Sequence, residues 1–132
     1  MMNDLIADAL TRIRNASSRK LDVTSLLHSK AVEGVVQVLL QKEYIEAFDV
    51  IDGDNNKKTI KIVLKYDENE KSAINELKRV SKPGRRVYKS AKEVKNFKSG
   101  YGTIVISTNK GIVPNDKAYE NNTGGEVLCT VW

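Results

Sequence analysis

The side chains that most often carry catalysis are scarce in this sequence and lie far apart along it. Nucleophilic catalysis by serine or cysteine needs a neighbouring base, usually histidine. The only histidine is His28 and the only cysteine is Cys129. One of each is too few for a structural zinc site, and the acidic residues are scattered rather than paired. We therefore predict no enzyme, no metal site and no cofactor, with His28 exposed or helix-capping and Cys129 a small buried hydrophobe.

A basic stretch in the second half of the chain offers a different chemistry. Nine lysines and arginines between Lys78 and Lys98 face a single acidic residue, Glu93. Four of these cations and one aromatic residue surround the Pro83-Gly84 turn, namely Lys82, Arg85, Arg86, Tyr88 and Lys89. Such cations can hold phosphates while a flat ring stacks on an unpaired base. The alternative is a solvated basic face that only confers solubility, with Tyr88 half buried in a strand.

Two further polar segments could also contact a nucleic acid. The first is a loop that carries hydroxyl, amide and ammonium groups, formed by Ser107, Thr108, Asn109, Lys110 and Gly111. These groups suit the 2′-hydroxyls, base edges and phosphates of a shallow A-form minor groove. A plain hairpin loop has the same composition. The second segment is Gly124-Gly125 before Glu126, which would let backbone approach RNA closely or would form a tight turn.

The first half of the chain is predicted to be a scaffold of two helices on a small sheet. Helical spacing predicts a first helix, capped by Asn3 or Asp4, with the apolar stripe Leu5, Ile6, Ala9, Leu10 and Ile13. It predicts a second helix after Ser29 with the buried face Val32, Val35, Val36, Leu39 and Leu40. Residues 44–51, the turn 52–56 and the alternation of Ile60, Ile62 and Leu64 predict a β-hairpin. Residues 1–67 hold ten cations and ten acids, so this half is neutral.

The second half is predicted to be mainly β-structure with short helices. The predicted strands are 86–89, 103–107 and 126–132, and a helical turn is predicted over 116–119. Residues 90–93 have capping-box spacing, so a short helix carrying Val94 and Phe97 should follow them. Residues 70–82 fit either a helix or an irregular strand, because their apolar positions have no decisive spacing.

Four segments, in order, make the whole chain resemble a known family. They are Asp4–Ala16 (DxIADxLTRIRNA), Arg79–Tyr88 (RVSKPGxRVY), Ser107–Gly111 (STNKG) and Gly124–Cys129 (GGEVLC). With these motifs the chain closely resembles the bacterial small-subunit ribosomal protein eight family. The likeness runs from the first helix to the last strand, and four ordered motifs are far more specific than any one of them.

This resemblance implies an α+β fold in two parts. An N-terminal α/β domain over 1–68, with two helices on a small sheet, would pack against a mainly β C-terminal domain with short helices over 69–132. It also implies a structural constituent of the small ribosomal subunit that binds the central domain of small-subunit rRNA at a stem with an irregular internal loop and helps to assemble the platform. The implied contacts are the loop Ser107 to Lys110, Tyr88, and Gly124 to Glu126. The N-terminal candidates for further rRNA contacts are Arg12, Arg14, Asn15 and Lys30.

Two segments depart from the family pattern. The family loop usually reads Ser-Thr-Ser-Lys, whereas position 109 is Asn here, which still donates and accepts hydrogen bonds. The segment before Gly124 is usually rich in arginine and lysine, but residues 115–123 contain a single cation, Lys117. Arg85 stands where the family often has an apolar residue and partly offsets that loss. The departures bear on affinity more than on which residues form the site.

The expected partners are rRNA and neighbouring small-subunit ribosomal proteins, in the cytoplasm. Some family members also bind their own operon messenger RNA and repress its translation, which stays open for this chain. No membrane and no small-molecule substrate are expected, because no stretch is long and apolar enough to span a bilayer and a lone cysteine fits a reducing compartment. Two other classes stay as alternatives: a sequence-independent binder of duplexes or DNA, and a protein-interaction module for an acidic partner.

Overall fold

A computed structural model describes residues 4–132 in two compact units, which divide between Asn75 and Glu76. The N-terminal unit, residues 4–75, contains two α-helices and a three-stranded antiparallel sheet. The C-terminal unit, residues 76–132, contains a five-stranded antiparallel sheet with one α-helix and short 3₁₀ turns. The predicted α+β class is therefore confirmed.

Each helix of the N-terminal unit begins at a side-chain cap, and the sequence predicts the first of them, Asp4. Helix α1 spans Leu5–Ser18, and the Asp4 carboxylate accepts a hydrogen bond from the Ala7 backbone N–H at 3.0 Å. Helix α2 spans Lys30–Gln41, and the Ser29 hydroxyl accepts one from the Val32 N–H at 3.1 Å. Each cap satisfies a donor that the first helical turn leaves without a partner. The other predicted cap, Asn3, lies outside the part of the chain that the structure describes.

One predicted face of α2 needs a correction. Leu40, predicted to be buried, is 37% exposed, whereas Val38 is 1% exposed. Leu40 lies three residues after the exposed Gln37, and Val38 lies three residues after the buried Val35. Since residues three apart share a helix face, the buried stripe extends to the side of Val38 rather than to that of Leu40.

The sheet of the N-terminal unit contains one strand that the sequence analysis missed. Strands β1, β2 and β3 span Val23–Leu27, Ile45–Asp52 and Lys58–Leu64, in the order β1-β3-β2. The predicted hairpin of β2 and β3 is confirmed, with a 3₁₀ turn at Asp54–Asn56. Strand β1 is an edge strand that buries only Leu26, so its apolar residues give no alternating pattern. Its pairing with β3 fixes it instead.

The C-terminal unit is organised around its last strand. Strands β4 to β8 span Leu77–Arg79, Tyr88–Lys89, Thr103–Thr108, Gly111–Pro114 and Gly125–Val131, and helix α3 spans Asn115–Glu120. The order is β4-β8-β6-β7, and β5 also pairs with β8. Strand β8 therefore has β6 on one side and both β4 and β5 on the other. The undecided segment 70–82 contains a strand, because Leu77 pairs with Val131 of β8.

The helix predicted after Ser90 is reduced to a single 3₁₀ turn, Lys92–Val94. The capping contact is present, because the Ser90 N–H donates to Glu93 Oε1 at 2.9 Å. The chain then becomes extended at Phe97, with φ −138° and ψ 129°. A Cβ on Gly102 would come within 2.8 Å of the Phe97 ring, so this ring packs directly on the glycine. Tertiary packing of Phe97 therefore overrides local helix propensity.

A hydrophobic cluster lies on one face of the C-terminal sheet. It contains Val94, Ile104, Ile106, Ala118 and Val127, and the partly buried Val80, Val87, Phe97 and Val113 pack against it. The buried Asn115 joins three segments, because its Nδ2 donates to the Val94 carbonyl and its Oδ1 accepts from the Ile104 N–H, each at 2.9 Å. Cys129 is also buried, as predicted, and this burial raises its thiol pKa to about 12. No helix within residues 4–132 is long and apolar enough to span a membrane.

Candidate nucleic-acid interface

Strand β8 brings together three of the predicted segments that are distant in sequence. Glu126 lies opposite Tyr88 of β5 on one side and opposite Ser107 of β6 on the other. Directly paired residues of an antiparallel sheet point to the same face. Tyr88, Glu126 and Ser107 therefore form one row across three strands, which we call the motif row. It lies on the face opposite Ile106 and Val127, because neighbouring residues of a strand point to opposite sides.

Gly124 and Gly125 make this close arrangement possible. A Cβ on Gly124 would come within 2.5 Å of the Lys89 carbonyl oxygen. A Cβ on Gly125 would overlap the Ser107 carbonyl oxygen and come within 2.9 Å of its carbon. Both distances are too short for any side chain, so only glycine lets β5 and β6 approach β8 here. The sequence suggested either close approach of the backbone to RNA or a tight turn. The structure shows instead a close approach to the backbone of neighbouring strands in the same sheet.

The motif row combines an exposed aromatic ring with an ion pair. Tyr88 is 69% exposed, so the alternative of a half-buried strand residue does not hold. The Arg86 guanidinium nitrogen Nη1 lies 3.0 Å from Glu126 Oε2, and the Glu126 side chain is only 16% exposed. The carboxylate therefore offsets part of the Arg86 charge and fixes the direction of the guanidinium. The row presents a stacking surface, a hydroxyl and an oriented cation.

The segment 82–86 is a loop that leaves the sheet between two pairings with β8. Lys82 and Arg85 exchange backbone hydrogen bonds of 2.9 Å in both directions, which closes the predicted Pro83-Gly84 turn. Below the turn, the buried Ser81 hydroxyl accepts a hydrogen bond from the Val87 N–H at 2.9 Å. Ser81 was not among the predicted site residues. It stands just before the turn, however, where a side chain can join the two ends of the loop.

The predicted cations of this loop fall into two groups. Arg86 is tied to the motif row, whereas Lys82 and Arg85 line an open cavity together with Val80 and Val87. The two valines pack on the hydrophobic cluster, so the cavity lies on that face of the sheet. The structure therefore does not gather all four cations beside Tyr88.

The polar loop 108–111 is a tight hairpin turn between β6 and β7. The Thr108 hydroxyl donates to the Gly111 carbonyl at 2.8 Å and accepts from the Lys110 N–H at 3.1 Å. Gly111 has a φ of +114°, which favours glycine. These contacts use the Thr108 hydroxyl to build the turn and leave the exposed Asn109 and Lys110 side chains at its tip. Within residues 4–132, the Lys110 ammonium has no ion-pair partner.

Lys89, the fourth predicted cation, is held near the turn that follows β5. Its Nζ lies 3.7 Å from Glu93 Oε2. Hydrogen bonds from Ser90, chiefly from its backbone N–H and then from its side chain, lower the pKa of the Glu93 carboxyl. The nearby Lys89 charge lowers that pKa further. Glu93 is fully exposed, so this pair orients Lys89 more than it stabilises the fold.

The candidates in the N-terminal unit have different surroundings. Arg12 Nε lies 3.0 Å from Asp8 Oδ2, and Arg12 Nη1 donates to the Ser25 carbonyl at 3.3 Å. Arg14 donates to the Thr11 hydroxyl at 3.3 Å. Asn15 and Lys30 are exposed, Lys30 being the first residue of α2. Arg12 and Arg14 are two residues apart on α1, so they point to different sides of the helix.

His28 and the acidic side chains are the groups that bear on catalysis and metal binding. His28 Nε2 lies 2.8 Å from Glu33 Oε1 and its side chain is 17% exposed, so it is a partly buried residue beside the start of α2. Among residues 4–132, no group of three or more histidine, cysteine, aspartate or glutamate side chains could hold a metal ion. The surface cations, rather than an acid–base or metal arrangement, are the chemically distinctive feature of this part of the chain.

The fold and site define an α+β protein of two units with a cationic surface gathered around one central strand. A family model described as ribosomal protein S8 matches residues 4–132. The small ribosomal subunit protein uS8 of Aliarcobacter butzleri is 74% identical over 132 residues, 100% of both chains. The proteins of the same name from Sulfurimonas denitrificans and Campylobacter fetus are 62% and 61% identical, also over 100% of both chains. The chain belongs to the ribosomal protein S8 family, which is a family of structural proteins and not of enzymes.

Proposed function

We propose that this chain is a structural constituent of the small ribosomal subunit in the cytoplasm. In this proposal it binds the central domain of small-subunit rRNA directly, at a stem with an irregular internal loop, and helps to assemble the platform. The family membership and the names of the full-length relatives support the ribosomal role. The observation that carries the binding site is the motif row, in which three family motifs meet as Tyr88, Glu126 and Ser107.

The motif row and the turn beside it suit an RNA stem interrupted by unpaired bases. The exposed Tyr88 ring can stack on an unpaired base, and the Ser107 hydroxyl can contact a 2′-hydroxyl or a base edge. Arg86, oriented by Glu126, offers a planar donor set to phosphate or to a base. Asn109 and Lys110 project from the turn that Thr108 closes. Lysines and arginines position the RNA through its phosphates, while the row selects its shape.

The remaining predicted contacts belong to the same proposal. Lys89 supplies further charge near the motif row, Lys82 and Arg85 supply it from the loop 82–86 on the other face of the sheet, and Gly124 and Gly125 hold the strands of the row together. In the N-terminal unit, the exposed Arg14, Asn15 and Lys30 would reach additional rRNA, and Arg12 would do so from its fixed position beside Ser25. Neighbouring small-subunit ribosomal proteins are the proposed protein partners.

A surface that selects RNA by shape would also accept a messenger RNA of the same shape. We therefore include binding to the chain's own operon messenger, with repression of its translation, in the proposal. A leader RNA from that operon should compete with the rRNA stem for the wild-type protein, and a leader with its internal loop paired should not. Failure of the native leader to compete would remove the repressor role and leave the ribosomal role intact.

The test of the rRNA proposal is a titration of the full chain against three ligands at fixed salt. They are the central-domain stem with its internal loop, the same stem made fully paired, and the matching duplex DNA. We expect at least a tenfold preference for the irregular stem, since about 1.4 kcal/mol of base contacts corresponds to that factor. Equal affinity for all three would contradict the proposal and favour a sequence-independent polyanion binder.

Lys110→Ala tests whether the turn touches the RNA. Loss of one phosphate contact should reduce the slope of log affinity against log salt by about 0.7 to 0.9. Lys117→Ala is the matched control, because Lys117 is an exposed lysine of the same unit on α3. An equal fall in slope for both variants would show that the turn has no special contact and that only net charge matters.

A further inference from the structure

The open cavity lined by Lys82 and Arg85 has a volume of about 530 Å³ and differs chemically from the motif row. Five cationic residues line it, namely Lys78, Arg79, Lys82, Arg85 and Lys98, against one acidic residue, Glu76. Lys78, Lys82 and Arg85 make no ion pair within residues 4–132. A concave surface with this excess of cations concentrates anions and strengthens their binding relative to a flat surface.

The cavity lies on the sheet face away from Tyr88. Lys78 pairs with Thr130 of β8, and Thr130 pairs with Ile104, a member of the hydrophobic cluster. Directly paired residues share a face, so Lys78 and Thr130 point to the side of that cluster. The motif row points to the other side. One ligand group cannot occupy both places, and the cavity is therefore a separate site.

The cavity also has an apolar wall with an aromatic ring. Val80, Val87 and Phe97 line it, and all three pack on the hydrophobic cluster, which holds them in place. Lys98 also lines it, with its ammonium 4.8 Å from the centroid of the Trp132 ring. Cations beside an aromatic and apolar wall match the two chemical parts of a nucleotide. The cations can bind the phosphate, and the aromatic ring can stack on the base. A volume of this size is within the range of about 300 to 1,000 Å³ that accepts small organic groups.

We infer that this cavity is a second RNA site, which takes an unpaired nucleotide through its phosphate and its base. The phosphate lies among Lys78, Lys82 and Arg85, and the base lies against Phe97. Such a site lets the C-terminal unit hold a single-stranded segment on the face opposite the motif row. The cavity shares Lys82 and Arg85 with the contacts proposed for the irregular stem, but Lys78, Phe97 and Lys98 lie outside them, so variants at these positions test the inference separately.

The experiment uses the full chain and a hexamer of uridine as the single-stranded probe. The cavity variant is Lys78→Gln with Lys98→Gln, and the control of equal charge loss is Lys92→Gln with Lys117→Gln, two exposed lysines that do not line the cavity. We expect the cavity variant to lose roughly tenfold in affinity for the hexamer and about 0.7 in salt slope, for the one phosphate contact of the bound nucleotide. The control should change by less than twofold. Equal losses in the two variants would overturn the inference.

Competition separates a nucleotide site from a simple phosphate site. Uridine monophosphate should displace the hexamer at a lower concentration than inorganic phosphate, because only the nucleotide reaches Phe97. Photocrosslinking with a 4-thiouridine hexamer, read by mass spectrometry, should mark Phe97 or its neighbours in the wild type and lose that mark in the cavity variant. Equal competition by the two anions, or crosslinks only at Tyr88, would contradict the inference. The irregular-stem titration of the same variants reports on the proposed function separately, and it should change little.

Discussion

The two antiparallel sheets of this protein are organised around different strands. In the N-terminal unit, β2 and β3 form a hairpin through a short turn, and β1 adds to the edge of β3. In the C-terminal unit, the last strand, β8, pairs with β4, β5 and β6. The first arrangement also joins distant residues, such as Leu27 of β1 and Thr59 of β3, but none of the four family motifs lies on its strands. The second brings residues from distant motifs onto one surface, so the candidate site depends on how tightly β8 fits its neighbours.

The charge distribution follows the same division. Residues 1–67 hold equal numbers of cations and acids, ten of each, whereas residues 68–132 hold twelve cations and seven acids. In the N-terminal unit Arg12 is paired with Asp8. In the C-terminal unit Lys78, Lys82 and Lys110 have no acidic partner among residues 4–132. The unit whose sheet joins the motifs is thus also the one with the excess of cations.

The largest expected effect comes from blocking the approach of β6 to β8. Gly125→Ala places a methyl group on the Ser107 carbonyl, so the strands must separate at the motif row. Overpacking of this kind costs about 1–3 kcal/mol, and we expect that loss in the free energy of unfolding measured with urea. Binding to the irregular stem should fall as well, because Ser107 moves away from Glu126.

Gly84→Ala is the control for that prediction. Gly84 is exposed, no atom lies within 4 Å of an added Cβ, and its φ is not in the left-handed region. The free energy of unfolding of the Gly84→Ala variant should therefore differ from that of the wild type by less than about 0.5 kcal/mol. Similar losses in the two variants would show that the strand contact at Gly125 is not what limits stability.

The next effect separates two neighbouring hydroxyls of β6. The Thr108 hydroxyl closes the turn through Gly111 and Lys110, whereas the Ser107 hydroxyl lies in the motif row. Loss of an exposed internal hydrogen bond costs about 0.5–1.5 kcal/mol, so Thr108→Ala should loosen the turn and weaken binding to irregular and paired stems alike. Ser107→Ala should instead reduce the preference between those stems and leave unfolding almost unchanged.

Thr108→Ser serves as the matched control, since it keeps the hydroxyl that the turn uses. It should retain most of the affinity lost in Thr108→Ala, measured by the same titration. A Thr108→Ala protein that loses only its preference for the irregular stem would assign the Thr108 hydroxyl to RNA rather than to the turn. That result would return Thr108 to the predicted RNA contacts of the loop.

The sequence predicted the features whose causes are local. Asp4 and Ser29 act on donors within their own first helical turn, so their capping roles follow from nearby residues. The hairpin of β2 and β3 was predictable for the same reason. Strand β1 was not predictable, because its pairing with β3 holds it in place. The loss of the helix after Ser90 was not predictable either, because it depends on the packing of Phe97 on Gly102.

The candidate site shows the same limit. The motifs identified Tyr88, Ser107 and Glu126 individually, but only the pairing with β8 puts them in one row. The glycines had two sensible interpretations, and the real cause, the backbone of Lys89 and Ser107, is distant in sequence. Charge counting also could not separate Lys82 and Arg85, which line the cavity, from Arg86, which faces Glu126.

The smallest expected effect concerns Glu93, whose pKa is lowered chiefly by hydrogen bonds from Ser90. A carboxyl with a lowered folded-state pKa stabilises the fold above its unfolded pKa of about 4.3, and this contribution disappears as pH falls through the folded value. Urea unfolding should therefore show Glu93→Gln slightly less stable than the wild type at pH 7, with the difference lost at a second, acidic pH at which the Glu93 carboxyl is protonated in the folded state. Glu120→Gln, which removes an exposed acid on α3, is the matched control for the loss of one negative charge. A constant difference at both pH values would assign the effect to the amide substitution itself rather than to the charge at the turn that orients Lys89.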